Sequence, residues 1–208
     1  CARPRSIAVR ARPLQVRTSR GWGRPLSAVR SVSAARRCSP DVHLHNHSWR
    51  GVDRHTGLVF EALSNFRDVG GHVTSDGRQL RTGLVYRSDA LCFATERDRA
   101  LLRDTLRIRT IVDLRTSMEH ERMGRYDLDD VGEVVHLPIL DGALIREKAN
   151  DGSLDLASMY QAIVFDHADE IAVVLTLLAD PDRLPAVISC TAGKDRTGIV
   201  PTQRVASA

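Results

Sequence analysis

The sequence predicts an α/β fold with a mostly parallel central sheet and helices on both faces. Two observations predict it. Short apolar runs of strand length, such as Thr110–Leu114 and Ala186–Ser189, suit buried parallel strands. They alternate with segments whose apolar residues recur at helical spacing, and this alternation is typical of a parallel sheet covered by helices.

The length of 208 residues suffices for one α/β domain with a hydrophobic core, which we expect at residues 56–208. Residues 1–55 are rich in Arg, Ser and Ala and have no sustained period, so they are predicted to be a disordered leader or a non-native extension. The composition fits an organelle transit peptide, whereas the missing initiator Met fits a mis-set reading-frame start or a fragment, which we favour. Alternating histidines at positions 43, 45 and 47 could chelate a metal if they lay on a strand, but no Cys or carboxylate partner is obvious, and no metal site is predicted.

Charge also separates the leader from the domain. The net charge is +4, yet ten of the 30 basic residues lie in residues 1–40, which contain no acid, so residues 41–208 balance to −6. A mildly acidic domain gives no indication of nucleic-acid binding.

No apolar run reaches the roughly 18 residues of a membrane span, and the four cysteines show no paired spacing. We therefore expect a soluble, cytoplasmic protein, with its oligomeric state left open.

The first ordered element is predicted to be an antiparallel pair of strands. Residues 65–73 form a short β segment with the glycine pair Gly70–Gly71, and Asp76–Gly77 is typical of a tight hairpin turn. Leu84–Arg87 is the returning strand.

Helices and strands then alternate along the chain. The predicted elements are a helix capped by Thr95 and ending near residue 106, the strand Thr110–Leu114, a short helix capped by Thr116, a strand at residues 133–139, and a loop or mobile lid at residues 142–154.

One long helix should follow the lid. Its apolar residues recur from Met159 to Leu178, and Asp180–Pro181 ends the pattern. The last strand is Ala186–Ser189. Ligands of parallel sheets bind beyond the carboxyl ends of the strands, and Cys190 follows such an end.

The loop at residues 190–198 reads Cys-Thr-Ala-Gly-Lys-Asp-Arg-Thr-Gly. Five residues separate Cys190 from Arg196, which is enough for a loop to curl round one phosphate with its N–H groups inward. These N–H groups, the following helix and Arg196 would favour the nucleophilic thiolate of Cys190. The guanidinium of Arg196 can hold two phosphoryl oxygens at once.

The remaining loop residues are predicted to bind the same phosphate. Gly193 lets the backbone turn where a side chain would collide with the ligand, and Thr197 can donate a hydrogen bond to the sulfur. The other phosphate-binding candidates are Thr191, Ala192, Lys194 and Asp195. A structural cysteine followed by an ordinary turn is the alternative, which the specific run of residues disfavours.

Two separated motifs resemble the bacterial and fungal tyrosine phosphatases with lipid-phosphatase-like loops, a family typified by the mycobacterial secreted phosphatase B. One motif is the loop at 190–198. The other is residues 65–71, followed by Asp76-Gly77-Arg78, Gly83 and Tyr86-Arg87-Ser88. The resemblance implies a cysteine-phosphatase-like fold and no cofactor. It implies substrates among phosphotyrosine, phosphoserine, phosphothreonine and phosphoinositides, which the sequence does not rank.

The resemblance also implies roles for individual residues. Cys190 would be the nucleophile that forms a phosphocysteine intermediate, and Arg196 would hold the phosphoryl group. Asp141 is the predicted general acid because it follows the strand at 133–139 in a stretch similar to the family segment carrying a proposed acid; Asp195 is the alternative. Ion pairs that brace the sheet edge are expected among Arg67, Asp68, Asp113 and Arg115.

Two features depart from the family pattern. Ser189 stands where the family usually has His, which alters an arrangement that orders the loop. Only ten residues follow Gly198, and Pro201 falls early in the expected helix, so we expect C-terminal helices to be missing. A catalytically impaired phosphate-binding module therefore remains an alternative. Rhodanese-like sulfur transfer is a further one, disfavoured by residues 194–198.

Overall fold

The computed structural model describes residues 57–74, 76–140 and 155–200 and two short strands near the N-terminus. The chain divides into two compact units, residues 1–34 and residues 35–208. In the first unit, β1 (Arg17–Thr18) pairs antiparallel with β2 (Gly21–Trp22). The three predicted histidines and most of the predicted leader lie outside the described residues.

The second unit contains a five-stranded sheet. Its strands are β3 (Arg67–Asp68), β4 (Val85–Ser88), β5 (Thr110–Asp113), β6 (Glu133–His136) and β7 (Ala186–Ser189). Their spatial order is β3-β4-β7-β5-β6, so the last strand lies in the centre. β3 pairs antiparallel with β4, and the other neighbours are parallel. The predicted mostly parallel α/β sheet is confirmed.

Helices connect the strands. They are α1 (Glu96–Ala100), which continues as a π-helical turn (Leu101–Thr105), α2 (Ser117–Met123), α3 (Leu156–Asp166) and α4 (Ala168–Ala179). A further helix begins at Arg196 and is described to Val200. Both predicted caps are confirmed, because Thr95 and Thr116 each form a reciprocal capping box with the residue three positions later. No helix in the described part of the chain is long and apolar enough to cross a bilayer.

The core has two halves, one on each face of the sheet. Alternate strand residues point to opposite faces, so Ile111 and Val187 pack with Leu102 on one side. Val112 and Ile188 pack with Ile163 of α3 and with α4 on the other. Helices therefore cover both faces, as predicted.

The prediction of one long helix after the lid is wrong. The backbone leaves helical geometry at His167 (φ −117°, ψ 27°), which separates α3 from α4. The His167 Nε2 accepts the N–H of Leu140 over 3.1 Å, a contact with a distant part of the chain. The predicted strand at 133–139 is also shorter and ends at His136. The predicted lid and Pro201 lie outside the described residues.

Candidate active site

Cys190 lies at the carboxyl end of β7, the central strand, and is 2% exposed. Residues 191–195 form an irregular loop, and a helix begins at Arg196. The loop curls back over the cysteine, because the N–H of Gly193 donates to Cys190 Sγ over 3.2 Å. The sulfur therefore lies on the inner side of the loop.

The carbonyl oxygens of four successive loop residues accept hydrogen bonds from groups outside the loop. These bonds are Ala90 N–H to Thr191 O (3.2 Å), Asn65 Nδ2 to Ala192 O (2.7 Å), and Arg87 Nη2 to both Gly193 O (2.6 Å) and Lys194 O (2.9 Å). In a trans peptide the N–H points away from the C=O of the preceding residue. The N–H groups of residues 192–195 are thereby turned toward the inner side of the loop, an arrangement that binds anions.

Gly193 is required by its backbone conformation and by a close approach. Its φ is +65°, in the left-handed region that favours glycine. A Cβ at this position would lie 2.5 Å from the backbone nitrogen of Asp89 and the carbonyl carbon of Ser88. The sequence predicted a collision with the ligand, but the collision shown by the structure is with the neighbouring loop that follows β4.

Arg196 is held by a carboxylate from α2. Its Nη1 donates to Glu119 Oε2 over 2.7 Å, and its Nη2 donates to Glu119 Oε1 over 2.6 Å. The hydroxyl of Thr191 donates to the same Oε1. Glu119 Oε2 also accepts the N–H of Thr116 in the capping box of α2. Sequence reasoning recognised this helix start but missed Glu119 as the partner of the loop arginine.

The ion pair between Glu119 and Arg196 is strongly coupled. Burial alone would raise the pKa of Glu119, but hydrogen bonds from Arg196 and Thr191 bring that pKa down to about 2. Burial alone would lower the pKa of Arg196, but its hydrogen bonds to Glu119 and the charges of Cys190 and Glu119 raise it. Both side chains are therefore ionised at neutral pH.

Of the two candidate general acids, the structure describes only Asp195. Asp141 lies outside the described residues. Asp195 Oδ1 accepts the hydroxyl hydrogen bond of Tyr160, a residue of α3, over 2.5 Å. This bond raises the pKa of Tyr160. Lys194, between Gly193 and Asp195, is exposed.

Thr197 does not form the bond that the sequence predicted. It is fully buried, and its Oγ1 has no hydrogen-bond partner among the described residues. The contact with the sulfur instead comes from the N–H of Gly193. A buried hydroxyl without a partner costs about 1–3 kcal/mol.

A buried polar cluster lies behind the loop. Arg115 Nη2 donates to Asp113 Oδ2 over 2.8 Å, which confirms the predicted ion pair, and His120 Nε2 lies 2.8 Å from the same oxygen. Burial would raise the pKa of Asp113, but hydrogen bonds from His120 and Arg115 lower it. The Arg115 guanidinium lies over the ring of Tyr126, 4.0 Å from its centroid, and the Tyr126 hydroxyl is 3.0 Å from Ser189 Oγ, which joins Ser189 to the cluster.

The other predicted sheet-edge residues make different contacts. Asp68 accepts the N–H groups of Gly70 and Gly83, each over 2.6 Å. Arg67 donates to the backbone carbonyl and the side chain of Asn65. These bonds order β3 and the bend that carries Asn65, whose side chain reaches the loop, so the two sequence motifs meet in space.

The comparison with known proteins covers the same part of the chain. A family model described as "Tyrosine phosphatase family" matches residues 58–203. A curated relative from Cupriavidus necator, named "Putative tyrosine-protein phosphatase", is 28% identical over 153 residues, which cover 68% of this chain and 54% of the relative. The chain thus spans about half the length of the curated relative that it matches. Both sequence motifs lie within the matched residues.

Proposed function

Because this chain belongs to the tyrosine phosphatase family, we propose that it hydrolyses phosphotyrosine with Cys190 as the nucleophile. The observation that carries the proposal is the position of Cys190 Sγ on the inner side of a loop in which four successive carbonyls are bonded outward. A phosphate dianion placed above the sulfur would accept the inward N–H groups. The buried Cys190 would then lie beneath the phosphorus.

Arg196 has the donors needed to hold the phosphoryl group. Glu119 accepts one N–H from each terminal nitrogen, and a guanidinium has five N–H donors. Nη1 also donates to Leu114 O over 3.2 Å, and Nη2 makes a longer contact of 3.4 Å with Thr191 Oγ1. The edge formed by Nε–H and Nη2–H suits two phosphoryl oxygens, which would replace the Thr191 contact. Glu119 would fix the direction in which that edge points.

The proposed reaction has two steps. The Cys190 thiolate attacks phosphorus, an S–P bond forms, and the P–O bond to the substrate breaks while a general acid protonates the leaving oxygen. Water then attacks phosphorus, the S–P bond breaks, and inorganic phosphate and the thiolate are released. We propose Asp141 as the acid. Asp195 is the weaker candidate, because its Oδ1 already accepts a hydrogen bond from the hydroxyl of Tyr160.

Lys194 supports a wider substrate range. Its exposed side chain adds a cation to the loop, as in the lipid-phosphatase-like loops that this sequence resembles. Phosphoserine, phosphothreonine and phosphoinositides are therefore proposed as further substrates. We also propose that this chain belongs to the subgroup of tyrosine phosphatases that have lipid-phosphatase-like loops.

A catalytically impaired phosphate-binding module is the second candidate. It is favoured by Ser189, whose hydroxyl points into the buried cluster with Tyr126. It is also favoured by the hydroxyl of Thr197, which has no partner in the part of the chain that the structure describes. In such a protein the loop would bind phosphate without forming an effective thiolate.

The test compares wild type, Cys190→Ser and the control Cys92→Ser, which removes a thiol outside the loop. Turnover of para-nitrophenyl phosphate, inhibition by vanadate and phosphate binding by calorimetry are measured. We expect turnover in wild type and Cys92→Ser, and phosphate binding without turnover in Cys190→Ser. Turnover by Cys190→Ser would overturn the nucleophile, whereas phosphate binding without turnover in wild type would favour the impaired module.

A further inference from the structure

Arg87 reaches the phosphate loop from a neighbouring strand. It lies in β4, paired with Ile188 of β7. Its Nη2 donates to the carbonyls of both Gly193 and Lys194, at 2.6 and 2.9 Å. One side chain therefore contacts two consecutive peptide units of the loop.

These two contacts set the direction of two N–H groups. The carbonyl of Gly193 shares a peptide plane with the N–H of Lys194, and the carbonyl of Lys194 shares one with the N–H of Asp195. With both carbonyls bonded to Arg87, neither plane can rotate without losing a hydrogen bond to a charged donor. Such a bond contributes about 1.5–3 kcal/mol.

The positive charge of Arg87 is energetically unfavourable in its buried position. Burial, followed by repulsion from Arg67 in the directly opposite position of β3, lowers the pKa of Arg87 to about 10. Its Nε is buried and has no hydrogen-bond partner in the described ranges 57–74, 76–140 and 155–200. A neutral amide could bond the same carbonyls at less desolvation cost. The charges that offset this cost are those of Cys190 and Asp195.

We propose that Arg87 is a positioning residue of the phosphate site, which orients the N–H groups of Lys194 and Asp195. The inference rests on the proposed function of Cys190 and extends it to a residue outside the loop. The orientation of these two N–H groups sets the affinity of the loop for phosphate.

The experiment compares wild type with Arg87→Gln and Arg87→Lys. The matched control is Arg99→Gln, because Arg99 is also a partly buried arginine but bonds Asp127 and Asp130, away from the loop. Two quantities are measured: the thermal midpoint and the inhibition constant of inorganic phosphate.

For Arg87→Gln we expect phosphate inhibition to weaken about tenfold. In Arg87→Lys it should stay weak, since Lys lacks the rigid fork of Arg. Arg99→Gln should lower the thermal midpoint and leave phosphate inhibition unchanged.

If Arg87→Gln lowers only the thermal midpoint, as the control does, Arg87 is a structural residue and the inference is wrong. If Arg87→Gln does not fold, Arg87→Lys decides, and wild-type phosphate inhibition in that variant would overturn the inference. A wild-type protein that does not bind phosphate would overturn the proposed function and this inference together. If the wild-type protein binds phosphate and the Arg87 variants have the same inhibition constant for phosphate, this inference alone is overturned.

Discussion

Glu119 and Arg196 form a two-point contact, in which Glu119 Oε2 accepts Nη1 at 2.7 Å and Oε1 accepts Nη2 at 2.6 Å. The same Oε2 accepts the N–H of Thr116 at the start of α2. The direction of the loop arginine therefore depends on where α2 begins. Part of the phosphate site is set by a helix cap that lies far from it in the sequence.

Glu119→Gln should lower kcat/KM for para-nitrophenyl phosphate about 10- to 100-fold. A Gln side chain has one acceptor oxygen instead of two, so it cannot reproduce the two-point contact and the guanidinium loses its fixed direction. Small misplacements have effects of this size. Glu121→Gln, an exposed neighbour on α2, is the matched control and should behave as wild type. Equal kinetics in the two variants would show that Arg196 is positioned by other contacts.

The same carboxylate should make stability depend on pH. The pKa of Glu119 is 4.5 in its ordinary state and about 2 in the folded protein. Because the folded value is depressed, its contribution is fully present above pH 4.5 and is lost as the pH falls toward 2. Urea unfolding at successive pH values should show the advantage of wild type over Glu119→Gln shrinking in this window. An advantage that stays constant down to pH 2 would contradict the ion pair.

Asp141→Asn should discriminate between leaving groups. Alkyl phosphates need protonation of the leaving oxygen, so their kcat should fall by about 10²–10⁴, whereas aryl phosphates should be much less affected. Asp195→Asn, measured with the same substrates, is the comparison. Equal losses on both substrate types for Asp141→Asn would move the acid role to Asp195 or to water.

Gly193→Ala should lower both stability and activity. The left-handed φ of +65° costs a residue with a Cβ about 1–2 kcal/mol, and the new Cβ would meet the backbone of residues 88 and 89. We expect the thermal midpoint to fall by about 4 °C or more and turnover to be largely lost.

Gly77→Ala is the matched control for the clash. Gly77 also has a positive φ, of +82°, but a Cβ added to it would have no heavy atom of the described residues within 4 Å. It should therefore show the conformational strain alone, with turnover unchanged. If the two variants lose the same stability and both keep activity, the close approach at Gly193 has no role in the site.

The sequence predicted well those features that depend on neighbouring residues. The caps at Thr95 and Thr116 act over three positions, and the central strand at 186–189 is marked by its own apolar run. Local chemistry alone determines these elements, so the sheet and its order of helices and strands could be anticipated.

The features that sequence reasoning missed depend on long-range contacts. The helix breaks at His167, whose side chain accepts the N–H of Leu140, and no local residue type marks that break. Glu119 was recognisable only as a cap, since its second partner is 77 positions away. Arg87 had no local reason to contact the loop, because β4 and β7 become neighbours only in the folded sheet.

The central position of β7 has a consequence for how the protein is made. Val85 of β4 and Thr110 of β5 both pair with Ala186, so these strands become neighbours of one continuous sheet only when the last strand arrives. During synthesis the earlier strands present open edges, and such distant pairings form slowly. The phosphate loop leaves directly from β7. The loop can therefore meet Arg87 of β4 and Glu119 of α2 only after β7 has paired between its two neighbours.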